Sequence, residues 1–327
     1  MRYLITGVAG FVGFHLATKL CRNKKNIIFG IDNLSNYYSK KIKKERLLLL
    51  KKNKNFKFYK LNLESKKSIQ DFFKKNRNFK VIFHLAAQPG VQFSLKNRES
   101  YFNSNLKVQF NILESIINYK STKQFIYGSS SSVYGEISNK REDYKVDVQE
   151  SFYAATKRIC EIMADNYSRL YKIKSTGLRF FTVYGPYGRP DMSPLIFLKA
   201  VYKGKIIKLF NKGNSLRSFT YITDVVDIIE KSSKNKSFLR NKKKYHKIYN
   251  IGNDKNISTF NFLKLIERNL EKKAKFKKIK NRKADIKNTK ANIFLARKEL
   301  KFKPKVNFSQ GVKLLCEWFK NSSNNFK

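Results

Sequence analysis

Apolar and polar positions alternate with two periods along the chain. Residues 2–6 form a short apolar run that leads into a glycine turn at Gly7, Gly10 and Gly13. Residues 14–22 carry apolar side chains at helical spacing, and 26–31 is apolar again. This spacing predicts strand, turn, helix and strand within the first 32 residues. Further strands are predicted at 56–61, 81–85, 124–127 and 175–179, and helices over 67–75, 99–119 and 153–171. Strands alternating with helices imply an α/β fold, a doubly wound parallel sheet with helices on both faces. Val81-Ile82-Phe83 is continuously apolar, as a strand buried on both faces should be. After Gly185-Pro186 the elements become shorter and less regular, and the lysine-rich stretch 234–247 reads as a loop. We read 1–185 as a first domain to which about 219–232 returns, and 186–327 as mainly a smaller mixed α/β domain.

Composition sharpens this picture. The 327 residues suit two domains at roughly 150 residues each. With 41% apolar and 14% aromatic residues, a wholly disordered chain is excluded. Charge is the unusual feature: 71 Lys and Arg face 23 Asp and Glu, a net charge of +48. Of the cations 56 are Lys, spread along the whole chain together with abundant Asn, Ile, Phe and Tyr. We read the excess as solvated surface, with clusters at 40–44, 242–244 and 272–280 on exposed helix faces and loops. A dedicated nucleic-acid function is not expected, although anionic ligands would be steered in. No apolar run reaches the ~18 residues of a membrane span, and the N-terminus reads as a first strand rather than a secretory signal. Cys21, Cys160 and Cys316 form neither a CxxC pair nor an even framework, which points to a reducing cytoplasm. No His, Asp and Glu cluster has metal-ligand spacing, and no metal is expected.

Candidate chemistry begins at the glycine turn, Thr6-Gly7-Val8-Ala9-Gly10-Phe11-Val12-Gly13. G-x-x-G-x-x-G is a variant of the dinucleotide fingerprint. Gly7 permits the turn, Gly10 lets the backbone approach a pyrophosphate, and Gly13 lets helix and strand pack closely. The helix N-terminus then offers amides to the phosphates. Asp32, 19 residues after Gly13, stands where an acid bonds a ribose diol. A carboxylate there repels a 2′-phosphate, so NAD is favoured over NADP.

Tyr153-Ala154-Ala155-Thr156-Lys157 places a phenol and an ammonium on one helix face. An ammonium nearby favours the phenolate, which makes Tyr153 a general-base candidate. Upstream, Gly128-Ser129-Ser130-Ser131-Ser132-Val133-Tyr134-Gly135 follows the strand at 124–127. Its hydroxyls lie at a strand's carboxyl end, where such folds bind ligands. Ser130 could hold a substrate oxygen while Tyr153 takes its proton. His84 reads as a hydrogen-bonded structural residue, and His15 and His246 have no assigned partner. Phe180, Phe181 and Tyr184 read as pocket wall and core, and Trp318 as packing.

With these residues the chain resembles the extended short-chain dehydrogenases/reductases of the sugar-nucleotide epimerase/dehydratase group, most closely the UDP-glucuronate 4-epimerases. The resemblance spans about residues 1–320 and rests on TGVAGFVG (6–13), GIDNLSNYY (30–38), HLAAQPGV (84–91), SSSSVYG (129–135), YAATK (153–157), LRFFTVYGPYGRPDM (178–192) and RSFTYITD (217–224). It implies a Rossmann-like NAD-binding domain and a UDP-sugar-binding domain. It implies that Gly7, Gly10, Phe11, Val12 and Gly13 line the NAD pyrophosphate and that Asp32 and Asn33 hold the adenosine ribose. Asn62 and Leu63 would face adenine, and Leu85, Ala86, Ala87 and Asn105 would line the cofactor's inner side. Tyr153 would be the base, Lys157 its partner and a nicotinamide-ribose ligand, and Ser130 the hydroxyl orienter. Ser131, Ser132, Thr182 and Arg189 would hold the sugar carboxylate, and Arg217 and Asp285 the UDP. The implied reaction is oxidation at C4, rotation of the 4-keto sugar and hydride return, in a homodimer paired through the helices at 99–119 and 153–171.

Five positions depart from the family pattern. Asn62 replaces Asp, Gln92 replaces Arg, Ser218 and Thr223 replace acids, and Ala284 replaces Gly. None touches Ser130, Tyr153 or Lys157. Other readings within the group are a UDP-glucose/galactose 4-epimerase, a uronate decarboxylase and a dTDP-glucose 4,6-dehydratase. Ser131-Ser132 stand where the dehydratase needs an Asp-Glu pair. Outside the enzymes, an idle relative could bind RNA through its charge.

Overall fold

The N-terminal apolar run becomes an inner strand of a sheet, because four of its five residues are buried and both of its edges are paired. The computed structural model describes residues 1–137, 140–280, 286, 288–323 and 326. In chain order come β1 (Arg2–Thr6), α1 (Phe11–Cys21), β2 (Ile27–Asp32), α2 (Lys40–Lys51), β3 (Phe56–Lys60), α3 (Lys66–Lys75) and β4 (Val81–His84). Two single turns, α4 (Val91–Ser94) and α5 (Arg98–Tyr101), precede a π-helical segment, Phe102–Lys107, that runs into α6 (Val108–Asn118). β5 (Gln124–Ser130) ends in a 3-10 turn, Ser131–Tyr134, and α7 (Phe152–Tyr171) leads to β6 (Lys174–Phe180). Next come β7 (Thr182–Tyr184), α8 (Ser193–Tyr202), β8 (Ile206–Leu209), β9 (Leu216–Arg217), β10 (Phe219–Tyr221), α9 (Ile222–Ser232), α10 (Lys236–Arg240) and β11 (His246–Ile251). The chain closes with β12 (Ile257–Ser258), α11 (Thr259–Leu270), β13 (Lys275–Lys278), β14 (Asn288–Thr289), α12 (Phe294–Leu300) and α13 (Phe308–Asn321).

The main sheet has seven strands in the order β11-β6-β5-β4-β1-β2-β3. Tyr3 stands opposite Ile28 on one side and Val81 on the other, both in parallel register. At the far edge the Ser175 N–H donates to the Tyr245 carbonyl at 2.8 Å and the Phe181 N–H to Ile251 at 3.0 Å, so β6 and β11 also run parallel. The strand order reverses between β1 and β4, the point where such sheets bind ligands at their carboxyl ends. On one face, Phe29 and Phe125 from the sheet pack with Phe72 and Phe73 from α3 and Ile112 and Ile116 from α6. Each of these buried side chains contributes about 1.5–3 kcal/mol of transfer free energy. Ser65 and Ser151 start α3 and α7 by accepting from the N–H groups of Ser68 and Ala154.

The chain divides into two compact units. The first comprises Met1–Gly135, Lys145–Arg179 and Val226–Tyr249; the second comprises Glu136–Tyr144, Phe180–Val225 and Asn250–Lys327. In the second unit β7 and β10 pair in parallel, β9 lies between antiparallel β12 and parallel β14, and β8 pairs with β13. An aromatic core built on Phe219, Phe262, Phe308 and Tyr184 fills it, with the Phe219 and Phe262 ring centroids 4.9 Å apart. Trp318 packs on Tyr187 and Phe326.

Three expectations need correction. The 40–44 cluster is not all exposed: it opens α2, whose Lys43 and Arg46 are buried. The stretch 234–247 is not simply a loop, since it holds α10 and the first residues of β11. The helix predicted over 99–119 is interrupted, because the π-helical turn at Phe102–Lys107 adds residues to one turn and brings Asn105 to the buried side.

Candidate active site

The glycine turn has the geometry a dinucleotide phosphate requires. Gly7 adopts φ +70°, and a Cβ there would stand 2.7 Å from the Ala86 backbone nitrogen. A Cβ on Gly13 would fall 2.2 Å from the Gly7 carbonyl oxygen, so helix and turn meet only through glycine. α1 begins with no capping side-chain bond and no acid in its first turn. No side chain of the cap or acid of the first turn thus competes for its leading amides, as an anion site at a helix N-terminus requires. Phe11 is buried and Val12 half-buried at that N-terminus.

Asp32 ends β2 beside this turn. Its carboxylate accepts from the Ala9 N–H at 3.0 Å and the Leu34 N–H at 2.8 Å. Burial raises its pKa, against the two N–H groups and the charges of Lys43 and Arg46. In the sequence Lys43 reads only as part of the exposed 40–44 cluster, and Arg46 is not named. Arg46 Nη1 donates to the Ala9 carbonyl at 2.8 Å and to the Tyr38 hydroxyl at 2.7 Å, while Lys43 Nζ donates to Ser35. Their helical spacing in α2 gave the only local signal, and a lysine run hid it. Asn33 accepts from the Ser35 N–H and Asn62 from the Glu64 N–H, each closing a turn with its side-chain oxygen. Leu63 is buried nearby in sequence.

The end of β4 is tied to β1 through side chains. The Thr6 hydroxyl shares a 2.8 Å hydrogen bond with His84 Nδ1 and accepts from the Ala86 N–H at 3.2 Å. Leu85 N–H donates to the Thr6 carbonyl at 3.2 Å. Burial pushes the His84 pKa down to about 3, with the Lys157 charge adding to it, so this ring is neutral. The reading of His84 as a hydrogen-bonded structural residue therefore agrees with the structure. Asn105 accepts from the Gln88 N–H at 2.7 Å and donates to the Thr156 hydroxyl at 3.0 Å, which joins the segment after Leu85, Ala86 and Ala87 to α7.

The remaining groups of the first unit lie on β5 and α7. Lys157 Nζ donates to the Gly128 carbonyl at 2.7 Å. Ser130 accepts from the Ser132 N–H at 3.2 Å, and its hydroxyl donates to that of Ser132 at 3.1 Å. Ser131 follows Ser130 and opens the 3-10 turn that Ser130 caps. Tyr153 lies in the first turn of α7 with its ring edge-on to Tyr101, centroids 5.9 Å apart. Tyr101 is itself fixed by hydrogen bonds to the carbonyls of Pro89 and Gly90.

In the second unit, Thr182 begins β7 opposite Phe219. Arg189 presents its guanidinium fork to Asp191, with Nε to Oδ1 at 3.1 Å and Nη2 to Oδ2 at 2.6 Å. Arg217 lies in β9 with Nη1 donating to the Leu216 carbonyl. Asp285, and Ala284 before it, lie outside the described residues. Ser218 is buried and exchanges hydrogen bonds with the Asn253 backbone at 2.6 and 2.7 Å. Among the described residues no group of three or more His, Cys, Asp and Glu could hold a metal. No described helix is long and apolar enough to cross a membrane.

Residues 3–252 match the NAD dependent epimerase/dehydratase family. A UDP-glucuronate 4-epimerase of Thermodesulfobacterium geofontis is 38% identical over 322 residues, 98% of this chain and 96% of that protein. The crystal structure of UDP-glucuronic acid 4-epimerase from Bacillus cereus, in complex with UDP-glucuronic acid and NAD, is similar at a TM-score of 0.89 and 30% identity. It is matched over 98% of this chain and 99% of that one. A UDP-glucose 4-epimerase structure from Thermotoga maritima, with UDP-glucose, has a TM-score of 0.85 at 28% identity, over 98% and 99% of the two chains.

Proposed function

The chain belongs to the NAD dependent epimerase/dehydratase family, and from that premise we propose that it is a UDP-sugar 4-epimerase that interconverts UDP-glucuronate and UDP-galacturonate. The observation that carries the reaction type is the arrangement on α7. Tyr153 and Lys157 lie one turn apart, and Lys157 is bonded to the Gly128 carbonyl two residues before Ser130. The observation that favours a uronate is the Arg189 fork, which already grips a carboxylate, that of Asp191, with two hydrogen bonds.

The glycine turn, the open α1 amides and the Asp32 carboxylate fit NAD: Gly7, Gly10, Phe11, Val12 and Gly13 would hold its pyrophosphate, and Asp32 and Asn33 its adenosine ribose. Asn62 and Leu63 would flank the adenine, and Leu85, Ala86, Ala87 and Asn105 the inner side. When bound, NAD supplies the acceptor and donor of a hydride at the sugar's C4. Ser130 holds the 4-hydroxyl while Tyr153 takes its proton, and the 4-keto sugar then turns over with its UDP anchored by Arg217 and Asp285. Tyr153 returns the proton from the same position, so one residue serves both half-reactions. Lys157, held by the Gly128 carbonyl, sits one turn from Tyr153 and would hold the nicotinamide ribose. Ser131, Ser132, Thr182 and Arg189 hold the sugar carboxylate. Arg189 thereby keeps the β-keto acid in a geometry poor for loss of carbon dioxide.

Exposed Phe110 on α6 and exposed Ile159 and Ile162 on α7 support pairing with a second copy of the chain. Ile162→Glu should then yield monomers by light scattering. Three buried, unpaired cysteines support a reducing compartment, the cytoplasm. Proton NMR of the purified protein with UDP-glucuronate tests the activity. Growth of UDP-galacturonate signals to an equilibrium mixture is expected. A UDP-pentose product would make it a decarboxylase, and turnover of UDP-glucose alone would assign a neutral sugar and make Gln92 the decisive departure.

A further inference from the structure

Glu161 lies on α7, one turn beyond Lys157, with a side chain fully shielded from solvent. Its carboxylate receives four hydrogen bonds. Ser129 Oγ donates to Oε1 at 2.7 Å and Arg179 Nε to the same oxygen at 2.8 Å. Arg179 Nη2 donates to Oε2 at 2.9 Å and Arg158 Nη1 at 3.2 Å. Arg179, buried on β6, also lies over the Tyr134 ring at 4.6 Å. Burial opposes ionisation of Glu161, yet the Arg179 hydrogen bonds and charge hold its pKa below the usual carboxylate range. It is therefore a buried, charged pair.

Stability alone gives little reason for such a pair, since well-packed apolar residues of the same volume often do as well or better. Its contacts point elsewhere. Ser129 immediately precedes Ser130, and Tyr134 ends the 3-10 turn that carries Ser131 and Ser132. Glu161 and Lys157 are four residues apart on one helix, and Lys157 bonds the Gly128 carbonyl. The end of β5 is thus held to α7 twice, by Lys157 on Gly128 and by Glu161 on Ser129.

We propose that Glu161, clamped by Arg179, is a positioning residue: through Ser129 it sets the register between Ser130 and the Tyr153–Lys157 face of α7. The proposal rests on the epimerase reading for its kinetic consequence, though not for its structural one.

The test uses the full chain with Ser129→Ala, Ser129→Thr and Glu161→Gln. Ser129→Ala leaves the Glu161–Arg179 pair intact and removes only the strand-side tie. Its kcat should fall at least about tenfold with KM for the sugar nucleotide within about twofold, as expected for displaced catalytic groups. Ser129→Thr, which keeps a hydroxyl, should restore most of kcat, a rescue that a merely structural role does not predict. Glu161→Gln should show the same kcat loss per folded molecule. Independently of turnover, amide hydrogen exchange across residues 130–135 should quicken several-fold in Ser129→Ala while that of β1 and β4 stays unchanged. Wild-type kcat in Ser129→Ala, or unchanged exchange over 130–135, overturns the proposal. A wild-type protein that turns over no UDP-sugar, yet shows the exchange effect, fails the epimerase reading alone.

Discussion

Lys157 Nζ donates to the Gly128 carbonyl at 2.7 Å, across 29 residues of sequence. The contact joins the helix that carries Tyr153 to the strand that ends in Ser130. A lysine one turn from a tyrosine is common by chance. One bonded to the strand end beside a hydroxyl cluster is a built feature.

Tyr153→Phe should therefore lower kcat by about 10²–10⁴-fold, the range for loss of a general acid–base group. Lys157→Met should lose at least as much and also destabilise the fold, because the Gly128 carbonyl loses its side-chain partner. Single-turnover kinetics with thermal melts checks both. A Tyr153→Phe protein with near-native kcat contradicts its assignment.

Asp32 decides between cofactors. The Ala9 and Leu34 N–H groups bond different oxygens of Asp32, so Asp32→Asn keeps an acceptor for only one of them and removes the charge that faces Lys43 and Arg46. NAD affinity should fall about tenfold, the scale of one charge-assisted bond. NADP affinity should rise, since the carboxylate that repels a 2′-phosphate is then gone. Calorimetric titration with each cofactor measures the ratio; an unchanged ratio removes Asp32 from that role.

The Arg189–Asp191 pair gives a substrate test. Arg189→Ala should raise KM for UDP-glucuronate by about 10–100-fold, the worth of a bidentate carboxylate grip, with little effect on UDP-glucose. Asp191→Asn removes the competing carboxylate and should lower KM for the uronate a few-fold. Equal effects on both sugars would separate Arg189 from carboxylate recognition.

His246 shares a 2.9 Å hydrogen bond with Tyr127 and lies 3.7 Å from Asp165. Burial pushes its pKa down to about 4 from 6.5. A depressed folded pKa means the unfolded chain binds the proton first. The contribution is thus fully present above pH 6.5 and is lost as pH falls towards about 4. Urea midpoints measured from pH 7.5 to 4 should fall across that window. His246→Gln should flatten the fall by on the order of 3 kcal/mol. A parallel curve in the variant shows that other groups carry the acid sensitivity.

What the sequence made legible was local. Gly7, Gly10 and Gly13 announce a turn by spacing, Asp32 marks a strand end, and Tyr153 with Lys157 fall on one helix face. What it hid depends on distant partners. His246 had no nameable partner because Tyr127 is 119 residues away. Arg46 was lost in a basic run because its acceptors are Tyr38 and the Ala9 carbonyl, the latter 37 residues distant. The π-helical turn was not announced by the apolar spacing, and Asn105 shows its place only through Gln88 and Thr156.

The most direct test of oxidation and return at C4 uses UDP-glucuronate carrying deuterium at that carbon. Proton NMR should show UDP-galacturonate forming with the deuterium kept at C4, because the hydride goes to the cofactor and comes back without meeting solvent. Loss of the label to solvent protons, or no epimer at all, contradicts the account.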